Sequence, residues 1–292
     1  MAIRIRGIET RKFIGVLICL MFASVLLTRC GPPTDRTEEP IRLIVRGDDM
    51  GMIHACNLAV EKSFQEGILT CASLIVPSPW FEEAARMSRE NPEWCIGVHL
   101  TLNSEWRDYR WKPVLPVTEV SSLVDEDGYF FPTTEAFLAA SPNLEEVNRE
   151  LRAQVELALK RNIDIQYIDT HMDTPSATPE LEEIVLQICQ DYKMPLSEDY
   201  GNGLSIYEIP PDKKGKALAE ILRHLGPGLW RLVAHPGLDT PEERALVDIN
   251  PEGLPEVAAN RAAVTRALTS RRIKRIIRQK GIQLTDYREF RE

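Results

Sequence analysis

Aspartate and histidine side chains recur at the points where apolar runs of the sequence stop. The candidates for one shared site are Asp48, Asp49, His99, His171 and His235. Each alone has an ordinary structural explanation, because a lone histidine is usually a hydrogen-bonded structural residue and an Asp-Asp pair can cap a following helix. Their common placement at the ends of predicted strands favours one site over five separate structural roles.

Two imidazoles and a carboxylate are suitable ligands for a divalent cation that acts on water. We therefore interpret Asp49, His99 and His171 as metal ligands, a set that leaves coordination positions open for water and substrate. Asp48 is the candidate base for the proton of the attacking water, and His235 is the candidate acid for a leaving amine. The donor set predicts a divalent metal ion as the cofactor, with Mg²⁺ and Zn²⁺ as the leading expectations.

Apolar runs that alternate with amphipathic segments must position these side chains. Strands are predicted at residues 41–45, 69–76, 95–102, 165–170, 229–234 and 282–284, and helices at 53–66, 81–89, 144–161, 179–192 and 258–280. Such alternation predicts a parallel sheet. We expect an α/β fold, a single (β/α) barrel over residues 41–292 that is irregular and has fewer than eight strands. Catalytic groups of such barrels gather at the C-terminal ends of the strands.

The overall composition excludes several classes of protein. The 292 residues are 43% hydrophobic and 27% charged, with a formal net charge of −9. These values are typical of a soluble globular chain and argue against disordered, collagen-like and coiled-coil chains. The acidic balance argues against a nucleic-acid partner, since phosphate binding needs clustered Lys and Arg. Cys56, Cys71, Cys95 and Cys189 show no paired spacing and are expected to be free thiols.

The N-terminal residues differ from the rest in charge and hydropathy. Residues 1–29 begin with a basic segment and continue into an uncharged run at 13–27, which is typical of a secretory signal peptide and short for a membrane span. Cys30 follows at the position of a lipoprotein cleavage site, although Arg29 stands where a small residue is usual. We expect export to the periplasm or a lipid anchor to the membrane, then a polar tether at 30–40. The alternative is an uncleaved N-terminal anchor.

Four short motifs occur in a fixed order along the body of the chain. They are Asp48-Asp49-Met50-Gly51, Gly97-Val98-His99-Leu100-Thr101-Leu102, Asp169-Thr170-His171 and His235-Pro236-Gly237. Each motif is weak evidence by itself. Their order and spacing resemble the YdjC-like carbohydrate deacetylase family, which includes chitooligosaccharide deacetylase, and the resemblance extends over essentially the whole body.

The resemblance implies a barrel hydrolase that removes acetyl groups from N-acetylated sugars. It implies a divalent metal held by Asp49, His99 and His171, and it suggests Asp48 as the base that activates water. One departure concerns the substrate, because many family members have a second histidine where this chain has Asp173. If that position contacts substrate, the specificity of this chain differs from theirs. If it aids metal binding, Asp173 substitutes for the histidine or the metal site is altered.

Two other functions stay open at the level of sequence. The first is a metal-dependent hydrolase of another bond; a glycosidase needs two carboxylates, for which Asp48 and Asp173 are available. The second is an exported carbohydrate-binding lipoprotein without activity, because the irregular segment 103–140 holds aromatic residues that could stack on sugar rings. These residues are Trp106, Tyr109, Trp111, Tyr129 and Phe130. The competing interpretation is that they cover the barrel.

Overall fold

A computed structural model describes residues 39–251 and 253–291 of the chain. The predicted signal peptide at 1–29, the lipidation site Cys30 and most of the predicted tether lie outside the described residues. Within the described ranges, no helix is both long enough and apolar enough to cross a membrane. The four cysteines of the body are free and buried, as predicted.

Seven strands form one sheet among the described residues. Their bounds are β1 Ile41–Met50, β2 Cys71–Leu74, β3 Cys95–Leu100, β4 Ile165–Thr170, β5 Asn202–Ser205, β6 Gly228–Ala234 and β7 Gln283–Thr285. The spatial order is β4-β3-β2-β1-β6-β5, and β7 pairs with the first half of β1 while β2 pairs with its second half. Every pair is parallel, as the alternation of strands and helices predicts.

Nine α-helices accompany these strands in the described part of the chain. They are α1 His54–Glu66, α2 Phe81–Glu90, α3 Thr134–Ala139, α4 Leu144–Lys160, α5 Pro179–Tyr192, α6 Lys214–His224, α7 Pro241–Arg244, α8 Val257–Leu268 and α9 Arg271–Lys280. The single helix predicted at 258–280 is wrong, because the side chain of Ser270 accepts a hydrogen bond from the backbone N–H of Arg272 and caps a new helix there. The sequence pattern does not predict β5, α6 or α7.

The predicted irregular (β/α) barrel with fewer than eight strands is confirmed. The irregular segment around Leu196 and Ser197, between the edge strands β4 and β5 in the chain, contacts β4 and β6. Ile168 of β4 makes an isolated parallel bridge with Leu196. Arg231 of β6 donates a hydrogen bond to the carbonyl oxygen of Ser197 in the same segment.

Strand β1 is longer than the predicted strand at 41–45. It continues through Arg46 and Asp48 to Met50, and its last eight residues are all buried. The predicted end of this strand at residue 45 is therefore wrong. Arg46 and Asp48 neutralise each other through two hydrogen bonds, Nε to Oδ1 at 2.8 Å and Nη2 to Oδ2 at 2.9 Å. This pairing lets charged side chains stay inside a buried strand.

Residues 103–140 have little regular structure, as predicted, apart from α3 and two short 3-10 turns. The carboxylate of Glu150 in α4 accepts two backbone hydrogen bonds from this segment. Trp106, Trp111 and Phe130 are each at most 2% exposed. These three aromatic residues therefore cover the barrel, and they give little support to a protein that only binds sugars.

Candidate active site

The C-terminal ends of the strands bring the five predicted residues to one cavity. Asp48 and Asp49 lie in the last part of β1, His99 lies in β3, and His171 and His235 directly follow β4 and β6. All five line a cavity of about 860 Å³. The backbone of Asp49 is left-handed, with a φ of 67°. Such conformations are strained for residues other than glycine and concentrate at functional sites.

Asp49, His99 and His171 surround a point where a metal ion fits. The Oδ1 atom of Asp49 lies 3.7 Å from Nε2 of His99 and 3.5 Å from Nδ1 of His171. These separations are longer than hydrogen bonds. They match the distance of about 3.4 Å between two ligands of one tetrahedral ion with bonds of about 2.1 Å. Asp49 Oδ1 is buried without a hydrogen-bond partner among the described residues, and a cation would satisfy it.

The two histidines are held by carboxylates through their other ring nitrogens. Nδ1 of His99 lies 2.7 Å from Oδ2 of Asp169, which leaves Nε2 for a metal. Nε2 of His171 lies 3.1 Å from Oε2 of Glu105, which leaves Nδ1. Carboxylates placed in this way fix the orientation and tautomer of metal-binding histidines.

The third candidate ligand, Asp49, is held by a buried arginine. Nη2 of Arg261 in α8 donates a hydrogen bond to Oδ2 of Asp49 at 2.6 Å, which leaves Oδ1 for a metal. Burial by itself would raise the pKa of Asp49, but Arg261 and His171 hold that pKa well below its usual range. Burial would lower the pKa of His171, whereas Glu105 and Asp49 raise it to about 10. A cation that binds His171 must therefore displace a proton.

Asp48, the candidate base, is fixed by the Arg46 side chain on both of its oxygens. Nη1 of Arg46 also donates to Oδ1 of Asp169 at 2.5 Å and to Oγ of Ser197 at 2.7 Å. Burial would lower the pKa of Arg46, but Asp169 and Asp48 hold it well above its usual value. The guanidinium therefore stays charged, and it links the candidate base through Asp169 to the candidate ligand His99.

A second trio, Asp48, His99 and Asp169, also places possible ligand atoms within 4.8 Å of one another. Its carboxylates are already engaged, because Asp48 is bound by Arg46 and Asp169 contacts Arg46, Ser197 and His99. In the trio of Asp49, His99 and His171, by contrast, Oδ1 of Asp49 has no hydrogen bond among the described residues and lies at least 3.5 Å from both histidine nitrogens. The predicted ligand set is thus the better of the two for a metal.

His235, the candidate acid, borders the cavity at the end of β6 and is partly exposed. Its ring is edge-on to the ring of Tyr207, with centroids 5.4 Å apart. Burial lowers the pKa of His235, against the opposing effect of Asp49 and Asp48. The imidazole is therefore neutral at pH 7, and a role as acid requires that it first accept a proton.

The side chains that hold the candidate ligands and the candidate base are not predicted from the sequence. They are Arg46, Glu105, Asp169 and Arg261. Asp169 carries a signal, since it lies in the Asp-Thr-His motif. Arg261 carries a weaker one, as a charged residue on a helix that is buried along most of its length. Glu105 carries none, because it lies in an irregular segment.

Comparison with known sequences places the chain among related proteins. The model of the YdjC-like protein family matches residues 42–279. A protein of Thermus thermophilus named carbohydrate deacetylase is 34% identical over 235 residues, which cover 70% of this chain and 81% of the relative. A protein of Enterococcus faecalis with the same name is 28% identical over 270 residues, which cover 84% of this chain and 97% of the relative.

The same architecture occurs in a solved structure. The crystal structure of an Enterococcus faecalis protein named for cellobiose-phosphate cleavage matches with a TM-score of 0.71 at 25% sequence identity. The match covers 87% of this chain and 100% of the other. The resemblance predicted from the four motifs is thereby confirmed, and the chain belongs to the YdjC-like protein family.

Proposed function

We propose that the protein is a hydrolase that removes the acetyl group from an N-acetylated carbohydrate with the help of a divalent metal ion. One observation is the main support for the metal dependence. The buried Oδ1 of Asp49 has no partner of its own and lies beside free ring nitrogens of His99 and His171. The relatives named carbohydrate deacetylase support the bond and the substrate class.

The reaction requires that water attack the acetamide carbonyl carbon and that the C–N bond break, which yields acetate and a free amine. A divalent cation at Asp49, His99 and His171 would supply a Lewis acid for the carbonyl and lower the pKa of a water molecule. Asp48 accepts the proton of the attacking water. The two hydrogen bonds from Arg46 keep both of its oxygens in place, and each oxygen retains a lone pair for that proton.

The departing nitrogen needs a proton before it can leave as an amine. His235 borders the same cavity as Asp48 and starts neutral, because burial lowers its pKa. It therefore takes up a proton from solvent and passes it to the leaving nitrogen, while Asp48 releases to solvent the proton that it took from water, so that both residues return to their starting states. Asp48 thus acts as the base and His235 as the acid.

The donor set favours one of the two expected metals. Mg²⁺ prefers oxygen ligands and keeps most of its water, whereas two imidazoles and one carboxylate are a common catalytic set for Zn²⁺. We therefore expect Zn²⁺ to bind more tightly than Mg²⁺. Metal analysis by mass spectrometry after purification without added metal measures this preference.

Acetate release from diacetylchitobiose tests the activity and the metal together. A chelator should abolish the release, and added Zn²⁺ should restore it. His99→Ala should lose both metal and activity, whereas His224→Ala should lose neither, because the His224 side chain is 74% exposed on α6. Acetate release that persists in the chelator and in His99→Ala would overturn the proposal.

A second variant separates the base from the ligands. Asp48→Asn should retain the metal and lose acetate release, because an amide cannot accept the proton of water at this position. Loss of the metal from Asp48→Asn would instead make Asp48 a ligand. Phosphoester and glycoside substrates in the same assay should show no cleavage, which separates the proposed reaction from hydrolysis of another bond.

We also propose export, which depends on residues 1–29 and Cys30. The basic segment, the apolar run and the following cysteine support it. Fractionation of cells that express the full chain, with mass spectrometry of the mature N-terminus, measures cleavage and lipidation. A lipidated N-terminal cysteine that disappears in Cys30→Ala is the expected result, and an intact precursor in the cytoplasm would contradict the proposal.

A further inference from the structure

The cavity wall divides into a buried floor and a more exposed outer wall. The floor consists of Asp48, Asp49, His99, Glu105 and His171. Five further carboxylates line the cavity outside the floor. One is Glu198, which lies 3.4 Å from Nη1 of Arg46, and the other four form the outer wall: Glu135, Asp173, Glu208 and Asp248. In the floor, buried side chains pair the carboxylates. In the outer wall, none of the four carboxylates forms an ion pair with a described residue.

The cations that line the cavity are bound to the protein itself. They are Arg46, Lys214, Arg231 and Arg261. Arg46 and Arg261 are engaged by floor carboxylates. The Nζ of Lys214 donates to the carbonyl oxygens of Ile206 at 2.8 Å and Tyr207 at 2.6 Å, and Arg231 donates to the carbonyl oxygen of Ser197. The described lining holds eight carboxylates against four cations, and the four carboxylates of the outer wall outnumber Lys214 and Arg231, which have no carboxylate partner there.

Asp173 is the outer-wall carboxylate nearest in sequence to a metal ligand. It follows His171 by two residues, so their Cα atoms are at most about 7 Å apart. Met172 and Asp173 are both left-handed, with φ values of 52° and 54°, and Nδ2 of Asn103 lies 2.6 Å from Sδ of Met172. The turn that these contacts hold leaves Asp173 exposed and on the cavity lining.

Buried polar atoms without partners point independently to a ligand in this cavity. The indole N–H of Trp106 and the hydroxyl of Thr170 have no hydrogen-bond partner among the described residues, and both residues are at most 4% exposed and line the cavity. A buried donor without a partner is costly. The hydroxyl and carbonyl oxygens of a sugar would satisfy both groups. Tyr207, 37% exposed on the same lining, offers a flat face to a sugar ring.

We infer that this cavity selects a sugar that carries a free, protonated amine near the acetamido group and disfavours sugars that carry phosphate or carboxylate. The inference rests on the proposed function, because it names the substrate class of the same site. An ammonium group among the outer-wall carboxylates gains Coulomb energy, and an anion in the same place loses it. The substrate class is therefore a partly deacetylated amino-sugar oligomer.

Calorimetric titration of the Zn²⁺-loaded Asp48→Asn variant, which should hold the metal without releasing acetate, tests this selection without turnover. Three disaccharides share the same rings: the monoacetyl form with one free amine, the neutral diacetyl form, and the diacetyl form with a 6-phosphate. Affinity should fall in that order, by about tenfold per step at low salt. The steps should shrink in 1 M salt, where the screening length is about 3 Å.

Two variants and a matched control assign the selection to the outer wall. Asp173→Asn should reduce the ratio between amine and phosphate affinities, and the double variant Asp173→Asn/Glu208→Gln should reduce it further. Asp127→Asn removes an exposed carboxylate away from the cavity lining and should leave the ratio as it is. Circular dichroism of each variant checks that the fold is retained.

The outcomes separate this inference from the proposed function. Equal affinities, tighter binding of the phosphate, or no binding of any disaccharide would overturn the inference, whatever the acetate assay shows. Amine preference that persists when no sugar releases acetate would support the inference and overturn the proposed function. A preference that survives the double variant unchanged would remove the outer wall as its cause and overturn the inference.

Discussion

Carboxylates are paired with buried side chains in the floor of the cavity, whereas those of the outer wall have no cation partner among the described residues. In the floor, each carboxylate has a specific buried partner, such as Arg46 for Asp48 and Arg261 for Asp49. In the outer wall, carboxylates such as Asp173 and Glu208 have no cation partner among the described residues. Because leaving a polar group unpaired is costly only when it is buried, the single unpaired oxygen of the floor marks a binding point. The unpaired carboxylates of the outer wall instead give that part of the cavity a negative electrostatic potential.

The largest expected effect is on catalysis when the floor loses a ligand. Asp49→Ala should lower kcat/KM by at least about 10³-fold, because the metal contribution to the transition state is several kcal/mol. Glu135→Gln in the outer wall should change kcat/KM by less than about tenfold. Steady-state kinetics of acetate release measures both. Similar losses in the two variants would break the distinction between floor and outer wall.

The next largest effect is on stability when the floor loses a charge partner. Arg46→Met should destabilise the protein by about 3–5 kcal/mol, because Asp48 and Asp169 would keep buried charges without their cation. Arg42→Met, which removes a more exposed pair with Glu289, should cost at most about 1 kcal/mol. Denaturant titration of both variants measures the free energy of unfolding. Equal losses in the free energy of unfolding would show that burial does not determine how much these ion pairs stabilise the protein.

Metal affinity should depend on pH because the metal competes with a proton for His171. Glu105 and Asp49 raise the pKa of His171 to about 10, so His171 carries a proton between pH 6 and 8 that a metal must displace. Affinity for Zn²⁺ should therefore rise with pH, by up to about tenfold per pH unit in this range. Competition with a chelator of known affinity at each pH measures the slope. An affinity that does not change with pH would show that His171 is already neutral.

The smallest of these effects is on Zn²⁺ affinity when the carboxylate that contacts His171 is replaced. Glu105→Gln weakens the hold on Nε2 of His171, and we expect the dissociation constant for Zn²⁺ to rise by about 10- to 100-fold. Glu135→Gln changes a carboxylate of similar size in the outer wall and should leave the constant within about twofold. The same chelator competition serves for both. A dissociation constant for Zn²⁺ that does not change in Glu105→Gln would show that Glu105 does not support metal binding by His171.

The sequence is sufficient to predict the residues that strand ends bring together. Asp49, His99 and His171 each lie at or just after the C-terminal end of a parallel strand, and such ends meet at one side of a barrel. The alternation of strands and helices therefore predicts both the fold and the ligand trio. The same reasoning identifies Asp48 and His235 as neighbours of that trio, and their chemical roles stay predictions.

The sequence is not sufficient where tertiary packing decides position. Glu105 lies in an irregular segment, and no periodicity indicates that it reaches His171, 66 residues later in the chain. Arg261 comes from α8, which packs against α1 and α6, so its approach to Asp49 depends on how three helices meet. The extension of β1 beyond residue 45 is missed for a similar reason, because a strand accepts Arg46 only after its charge partners are in place.

The pairing of β1 has a consequence for the time at which the protein folds. Ile41 pairs with Gly228 in β6, and Leu43 pairs with Leu284 in β7. The ribosome therefore makes the first half of the central strand long before either of its neighbours exists. At about 5–20 residues per second, this wait is roughly 10 to 40 s. Contacts between such distant residues also form slowly. The barrel thus completes its folding only after β7 has been synthesised, and the first half of β1 lacks its two neighbours throughout that interval.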